Sequence, residues 1–212
     1  MAQEKTTPPV NAAERIVAEA AKIFWTYGIK SVTMDDLATR MGISKKTLYQ
    51  HVADKNDLVE KVVDHVAREF KCGVMCISRA GNAIDELYAI TNTVAERLKG
   101  IHPSIHFDLE KYHPEAFRRM METRRREVYA TTVANMERGI KEGIYRNDLN
   151  IPIIATLYIS RLEVVFDGDL FPADRFNPGE VHWALFRYHV RGIASEKGVK
   201  YLVNKVKKDQ TP

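Results

Sequence analysis

The sequence predicts an all-α protein, with an N-terminal three-helix unit over residues 11–57 and a larger helical domain over residues 58–196. Three observations point there. From Asn11 onward nearly every segment carries apolar residues at helical spacing, and no stretch alternates convincingly enough to make a strand. Gly and Pro fall between these segments, where helices must stop. A helix-start signature recurs at Thr33, Ser44 and Asp54, so the caps stand 11 and 10 residues apart and the helices between them are short.

The first helix is expected from Asn11 to Tyr27. Ile16, Ala20, Ile23, Phe24 and Tyr27 share one face. Asn11 and Glu14 stand at capping-box spacing, and Gly28 is a natural stop, because glycine takes the left-handed conformation at little cost. Val32-Thr33-x-x-Asp36-Leu37 opens the second helix with a cap, an acid three residues later and a flanking apolar pair. Ile43-Ser44-x-x-Thr47-Leu48 opens the third with the cap and the same apolar pair, and Asp54-x-x-Asp57-Leu58 opens the next with the cap and the acid. Gly42 sits where the second helix must turn sharply into the third. Two short helices joined by a glycine turn form a helix-turn-helix.

Composition excludes more than it identifies. The chain has 212 residues, 45% hydrophobic and 28% charged, ordinary for a globular protein with a real core. A formal charge of +4 is compatible with a nucleic-acid partner without requiring one. Cys72 and Cys76 cannot build a disulfide framework, and they read as small apolar residues on a helix face, with a redox or metal pair as the alternative. No signal peptide and no membrane-spanning run is recognisable, so the expected location is the cytoplasm. No P-loop, Rossmann glycine pattern or nucleophile elbow is present, which argues against an enzyme; no cofactor is expected.

The third helix carries the functional signal. Leu48 and Val52 face inward, while Lys45, Lys46, Thr47, Tyr49, Gln50 and His51 are cationic or hydrogen-bonding. Lysines at a helix N-terminus oppose the helix dipole, a placement that phosphates or base edges would neutralise. A solvated polar face is the alternative reading. Residues 1–57 hold eight Lys/Arg against seven Asp/Glu, so positive charge is concentrated here rather than spread over the domain.

Residues 28–58, GIKSVTMDDLATRMGISKKTLYQHVADKNDL, resemble the DNA-binding signature of the TetR family. The matching positions are Thr33, Leu37, Ala38, Gly42, Ile43, Ser44, Thr47, Leu48, Tyr49, His51 and Lys55. Glu142-Gly143-Ile144-Tyr145-Arg146, followed by Asn150, resembles the junction before the penultimate helix of that family. The resemblance implies that the third helix enters the major groove of a palindromic operator. Lys45, Lys46, Thr47 and His51 then meet base edges, and Thr33, Tyr49 and Lys55 grip phosphates. Asp35 and Asp36 occupy a stretch where some members place a basic reader, so no base contact is carried over there.

Beyond residue 58 further helices are expected at Ala83–Lys99, near Phe107–Tyr112 and, after the His113-Pro114 break, from Glu115 to Lys141. The last two, Ile153–Phe166 and Pro178–Ala194, are apolar nearly all round and need burial on more than one side, which points to a homodimer. His106, Phe107, Glu110, Tyr112, Phe117, Met120, Met121 and Arg124 mix apolar walls with polar anchors, as a small-molecule effector pocket would. Tyr158, Arg161 and Phe186 are candidates for the same cavity, and ordinary core residues are the equal alternative. His102, His106 and His113 invite a metal reading, but Pro103 interrupts the pair and no metal is expected. Residues 1–10 and 197–212 are expected to be flexible ends. The expected function is a DNA-binding transcription regulator, a repressor released by an unidentified effector. The alternatives are a helical metal-binding enzyme or a helical adaptor that binds no DNA.

Overall fold

A computed structural model describes residues 11–75, 77, 81–172 and 174–209. The expected arm over residues 1–10 and the expectation for Cys76 lie outside the described residues; Cys72 is exposed. Among the described residues ten helices run in order: α1 (Ala12–Tyr27), α2 (Met34–Met41), α3 (Lys45–Tyr49), α4 (Lys55–Met75), α5 (Ala83–Leu98), α6 (Ile105–Tyr112), α7 (Pro114–Lys141), α8 (Ile151–Val164), α9 (Pro178–Ile193) and α10 (Glu196–Asp209). They form two compact units. The first takes the described residues up to Phe70 together with Ile101–Met121; the second takes Lys71–Gly100 and everything from Glu122 onward. This division differs from the boundary expected at residue 58, because α6 and the start of α7 share a core with α1–α4.

In the first unit the helix ends obey the capping logic of the sequence. Asn11 accepts from the Ala13 N–H at the start of α1. Thr33 and Asp36 form a reciprocal capping box on α2, and Ser44 accepts from Thr47 N–H on α3. Asp54 accepts from Asp57 N–H while the Asp57 carboxylate accepts from Ala53 N–H, so the start of α4 is held twice. Gly42 turns α2 into α3 at φ +66°, a left-handed conformation that L side chains resist. Phe24, Leu37, Leu48, Leu58, Val62 and Leu109 are almost fully buried in the shared core. Tyr27 departs from the expected buried face: it is half-exposed, with the Arg40 guanidinium 4.0 Å above its ring.

One long-range polar contact shapes this unit. Asp108 of α6 is buried and accepts from the backbone N–H groups of Ile29 (3.0 Å) and Lys30 (2.9 Å) and from the Ser104 hydroxyl. Gly28 lies against the same group at φ +83°, and a Cβ there would stand 2.7 Å from Ser104 Oγ. The turn between α1 and α2 is thereby bound to α6.

The second unit packs α5 along α9, with Ile84, Leu87, Met136, Phe186 and Val190 at its centre. Tyr88, Trp183 and Phe186 meet edge to face, with centroids 4.9–5.8 Å apart. Buried Asn135 donates to the Ala83 carbonyl and accepts from the Tyr145 hydroxyl, joining α5, α7 and the turn before α8.

The expectation of a free C-terminal end is corrected over the described residues. Glu196–Asp209 is a helix; Leu202 is buried, Val199 packs on the second core, and Tyr201 and Lys205 both bond Asp85. Val199 and Leu202 stand three apart, so an apolar stripe runs beneath the lysines that dominate the composition. Leu202→Ala is therefore expected to lower stability by about 2–5 kcal/mol in urea unfolding. An unchanged midpoint would show that α10 does not contribute to the core.

Candidate nucleic-acid interface

The helix-turn-helix presents α3 as a two-sided element. Leu48 and Val52 anchor it in the core, and Lys45, Lys46, Tyr49 and Gln50 are exposed, with Thr47 and His51 half-buried. Such a helix is fixed in orientation by its buried side and free to contact a partner with the other. The positive end is not idle. Lys45 Nζ lies 2.6 Å from Asp35 Oδ1, an exposed ion pair between α3 and α2. Contact order along the sequence could not reveal this pair, since Asp35 and Lys45 are brought together only by the turn at Gly42.

The residues expected at phosphates are differently placed. Tyr49 is exposed at the end of α3. The Thr33 hydroxyl donates to the Asp36 carboxylate at 2.6 Å, and those bonds hold Asp36 below the ordinary carboxylate range. Lys55 donates to the Val32 carbonyl at 2.5 Å and reaches toward that of Lys30. Burial lowers its pKa, with Asp108 and Asp36 partly offsetting this. Lys55 therefore secures the loop before α2 as well as offering charge near it. Lys61 holds the other end of α3 by donating to the His51 carbonyl at 3.0 Å.

The expected effector residues fall in both compact units. Phe107 and Tyr112 are exposed on α6, each with the Lys111 ammonium over its ring, and Glu110 is exposed beside them. Phe117 and Met120 pack against the first core, Met121 is half-buried, and His106 meets Phe117 edge to face. Arg124, Tyr158, Arg161 and Phe186 belong to the second unit, where Phe186 fills the core and Arg161 lies over the exposed Tyr188. Periodicity could identify these as amphipathic positions but not which core each one joins. Among the described residues no group of three or more His, Cys, Asp or Glu could hold a metal ion, and no helix is long and apolar enough to cross a membrane.

Comparison with known proteins agrees with this geometry. Residues 16–62 match the family described as bacterial regulatory proteins, tetR family. The uncharacterized HTH-type transcriptional regulator YvaF of Bacillus subtilis is 26% identical over 186 residues, 87% of this chain and 96% of that one. The HTH-type transcriptional repressor KstR2 of Mycolicibacterium smegmatis is 25% identical over 162 residues, 73% of this chain and 77% of that protein. Among solved structures, a transcriptional regulator from Cytophaga hutchinsonii superposes with a TM-score of 0.70 at 19% identity, covering 86% of this chain and 98% of that one. The ketosteroid transcriptional regulator KstR2 of Mycobacterium tuberculosis superposes at 0.55 and 19% identity, covering 91% and 100%.

The capped helix-turn-helix and these relatives define a DNA-binding transcription regulator. Residues 16–62 are a TetR-type DNA-binding domain, and over most of its length the chain is similar to HTH-type transcriptional regulators.

The Asp35–Lys45 pair generates a specific expectation. Asp35→Asn releases Lys45 and removes a negative charge beside it, so affinity for random duplex DNA should rise at low salt, with a gain that fades as salt screens it. Fluorescence anisotropy against a salt series reads this. A fall in affinity with an unchanged circular dichroism spectrum would mean that Asp35 serves to aim Lys45.

Proposed function

We propose that the protein is a homodimeric repressor acting in the cytoplasm, which binds a palindromic operator and leaves it when a small molecule occupies its C-terminal domain. The observation that carries this reading is the exposed cationic and hydrogen-bonding face of α3 on a rigidly capped support. In this reading Lys45, Lys46, Thr47 and His51 meet base edges in the major groove. Thr33, Tyr49 and Lys55 lie along the phosphates. The repressor sign follows the relative named as a transcriptional repressor. An effector releases DNA only by favouring the DNA-free form, and operator DNA must then weaken effector binding by the same factor.

The DNA reading separates two kinds of substitution. Tyr49→Ala should weaken binding to all sequences alike. Lys46→Ala should instead change base preference at one position of each half-site, by about 1–3 kcal/mol. Selection of bound sequences from a random pool, followed by anisotropy titration, measures both. Equal affinity for selected and random DNA would overturn the reading.

The dimer reading rests on α8. Ile153 (56% exposed), Leu157 (50%) and Val164 (36%) stand along one stripe of that helix, and Tyr188 of α9 is 66% exposed. Large apolar side chains repeated on one face are what a subunit interface uses. Leu157→Glu is expected to give monomer or aggregate in sedimentation velocity; a stable wild-type monomer at micromolar concentration would refute the homodimer. Leu185, half-buried on α9, is a weaker probe, because its substitution also disturbs the unit's own packing.

A further inference from the structure

The second compact unit holds a charge that no described residue meets with a hydrogen bond. Arg124 of α7 places its guanidinium 5.0 Å from the ring centroid of Phe166. The nearby carboxylate, Glu163 of α8, accepts two hydrogen bonds from Arg125 instead, at 2.6 and 2.9 Å. Among the described residues nothing hydrogen-bonds the Arg124 side chain. Burial holds its pKa below the ordinary arginine value, and Glu163 and Tyr158 offset this only in part.

Two further buried polar side chains, on other helices, lie within electrostatic reach of it. Tyr158 of α8 is 7% exposed and His182 of α9 is 5% exposed, and both feel the charge of Arg124. Among the described residues neither side chain has a hydrogen-bond partner. Burial, followed by Arg124, holds His182 down to about 4, so it is neutral at neutral pH and brings a hydrogen-bonding group without a second charge. The Tyr158 ring stacks on His189 at 4.1 Å. Of the unpartnered side-chain atoms of these described residues, His189 Nε2 is fully sealed from solvent, and those of Arg124, Tyr158 and His182 are not.

Arg124 is half-buried; a cation partly withdrawn from water without a hydrogen-bonded anion is costly to retain, and the planar arginine fork matches a carboxylate with two parallel bonds. We propose that Arg124, Tyr158 and His182 bind the head group of an acidic small molecule, a carboxylate whose apolar or aromatic body lies against Phe166 and Tyr158. Arg161 is not part of this site, since its guanidinium is exposed over Tyr188. The proposal rests on the effector-responsive reading above and adds the chemical class of the ligand.

The test uses the full-length protein and matched probes: butanoate, octanoate, dodecanoate and phenylbutanoate, each paired with the alcohol of the same skeleton. Calorimetry should find at least one acid bound about tenfold or more tightly than its alcohol, and that acid should raise the melting temperature by roughly 5–10 °C at a hundredfold excess over Kd. Arg124→Met should abolish the preference while the ligand-free melting temperature holds or rises, because an unpaired, half-buried charge is replaced by an apolar chain. Tyr158→Phe should reduce the preference without changing alcohol binding. The proposal is overturned if no acid is preferred, if Arg124→Met keeps the preference, or if that variant melts lower without ligand, which would mark Arg124 as a structural ion. Operator release, read by anisotropy, separates this from the broader reading. An acid that binds through Arg124 but leaves the operator complex intact supports the ligand class and sinks the effector role. A neutral alcohol that releases DNA as well as its acid does the reverse.

Discussion

Two backbone N–H groups, those of Ile29 and Lys30, turn inward where α1 ends, and the first unit is organised around the need to satisfy them. Buried amide donors cannot be left unpaired without a penalty of about 1–3 kcal/mol each. Asp108 accepts both and is itself steadied by Ser104. That single carboxylate fixes the turn that leads into Thr33, and Lys55 fixes the same loop from α4 through the Val32 carbonyl. The Thr33 cap sets the start of α2, Gly42 sets its end, and Ser44 sets α3. The orientation of α3 is thus the last term in a chain of side-chain-to-backbone hydrogen bonds that begins at α6.

This arrangement changes the meaning of some familiar residue types. A lysine at the start of α4 is at once a source of positive charge and a tie for carbonyl groups. A threonine beside the proposed phosphate path already spends its hydroxyl on Asp36. Lys45 is held by an acid of the preceding helix. Exposed ion pairs of this kind contribute little stability, typically 0–1 kcal/mol, so the Asp35 contact is better understood as a bias on where Lys45 points than as a brace. Among the described residues the side chains of Lys46, Tyr49, Gln50 and His51 show no such tie.

The second unit faces the opposite problem. Its apolar groups are well matched, with the Tyr88, Trp183 and Phe186 rings locked edge to face, and its polar groups are unevenly served. Asn135, Arg138, Glu86 and Glu142 form a connected network around the ends of α5 and α7. Among the described residues Arg124, Tyr158 and His182 have no side-chain hydrogen-bond partner. A fold that satisfies one buried polar cluster and leaves another open contrasts structural polarity with polarity directed at something else. The exposed stripe of α8 follows the same logic in apolar terms: side chains that core packing does not claim are available to a second chain.

Helix starts and stops were legible in the sequence because they are local. Thr33 with Asp36, Ser44 with Thr47, Asp54 with Asp57 and the glycines at 28 and 42 each act within a few residues, so spacing alone determined α1–α4 and the inward face of α3. The helix-turn-helix and the residues it exposes followed from the same local rules. Long-range pairing was decided by tertiary structure. Asp108 reaches Ile29 across 79 positions, Arg125 reaches Glu163 across 38, and α10 joins a core whose other members lie far upstream. The expected effector list divides between the two units for that reason: helical period shows which residues are amphipathic, whereas only the packed chain assigns Phe117 to one core and Phe186 to the other. Composition concealed α10 in the same way, since its lysines are visible in any window, while the burial of Leu202 exists only against the helices it meets.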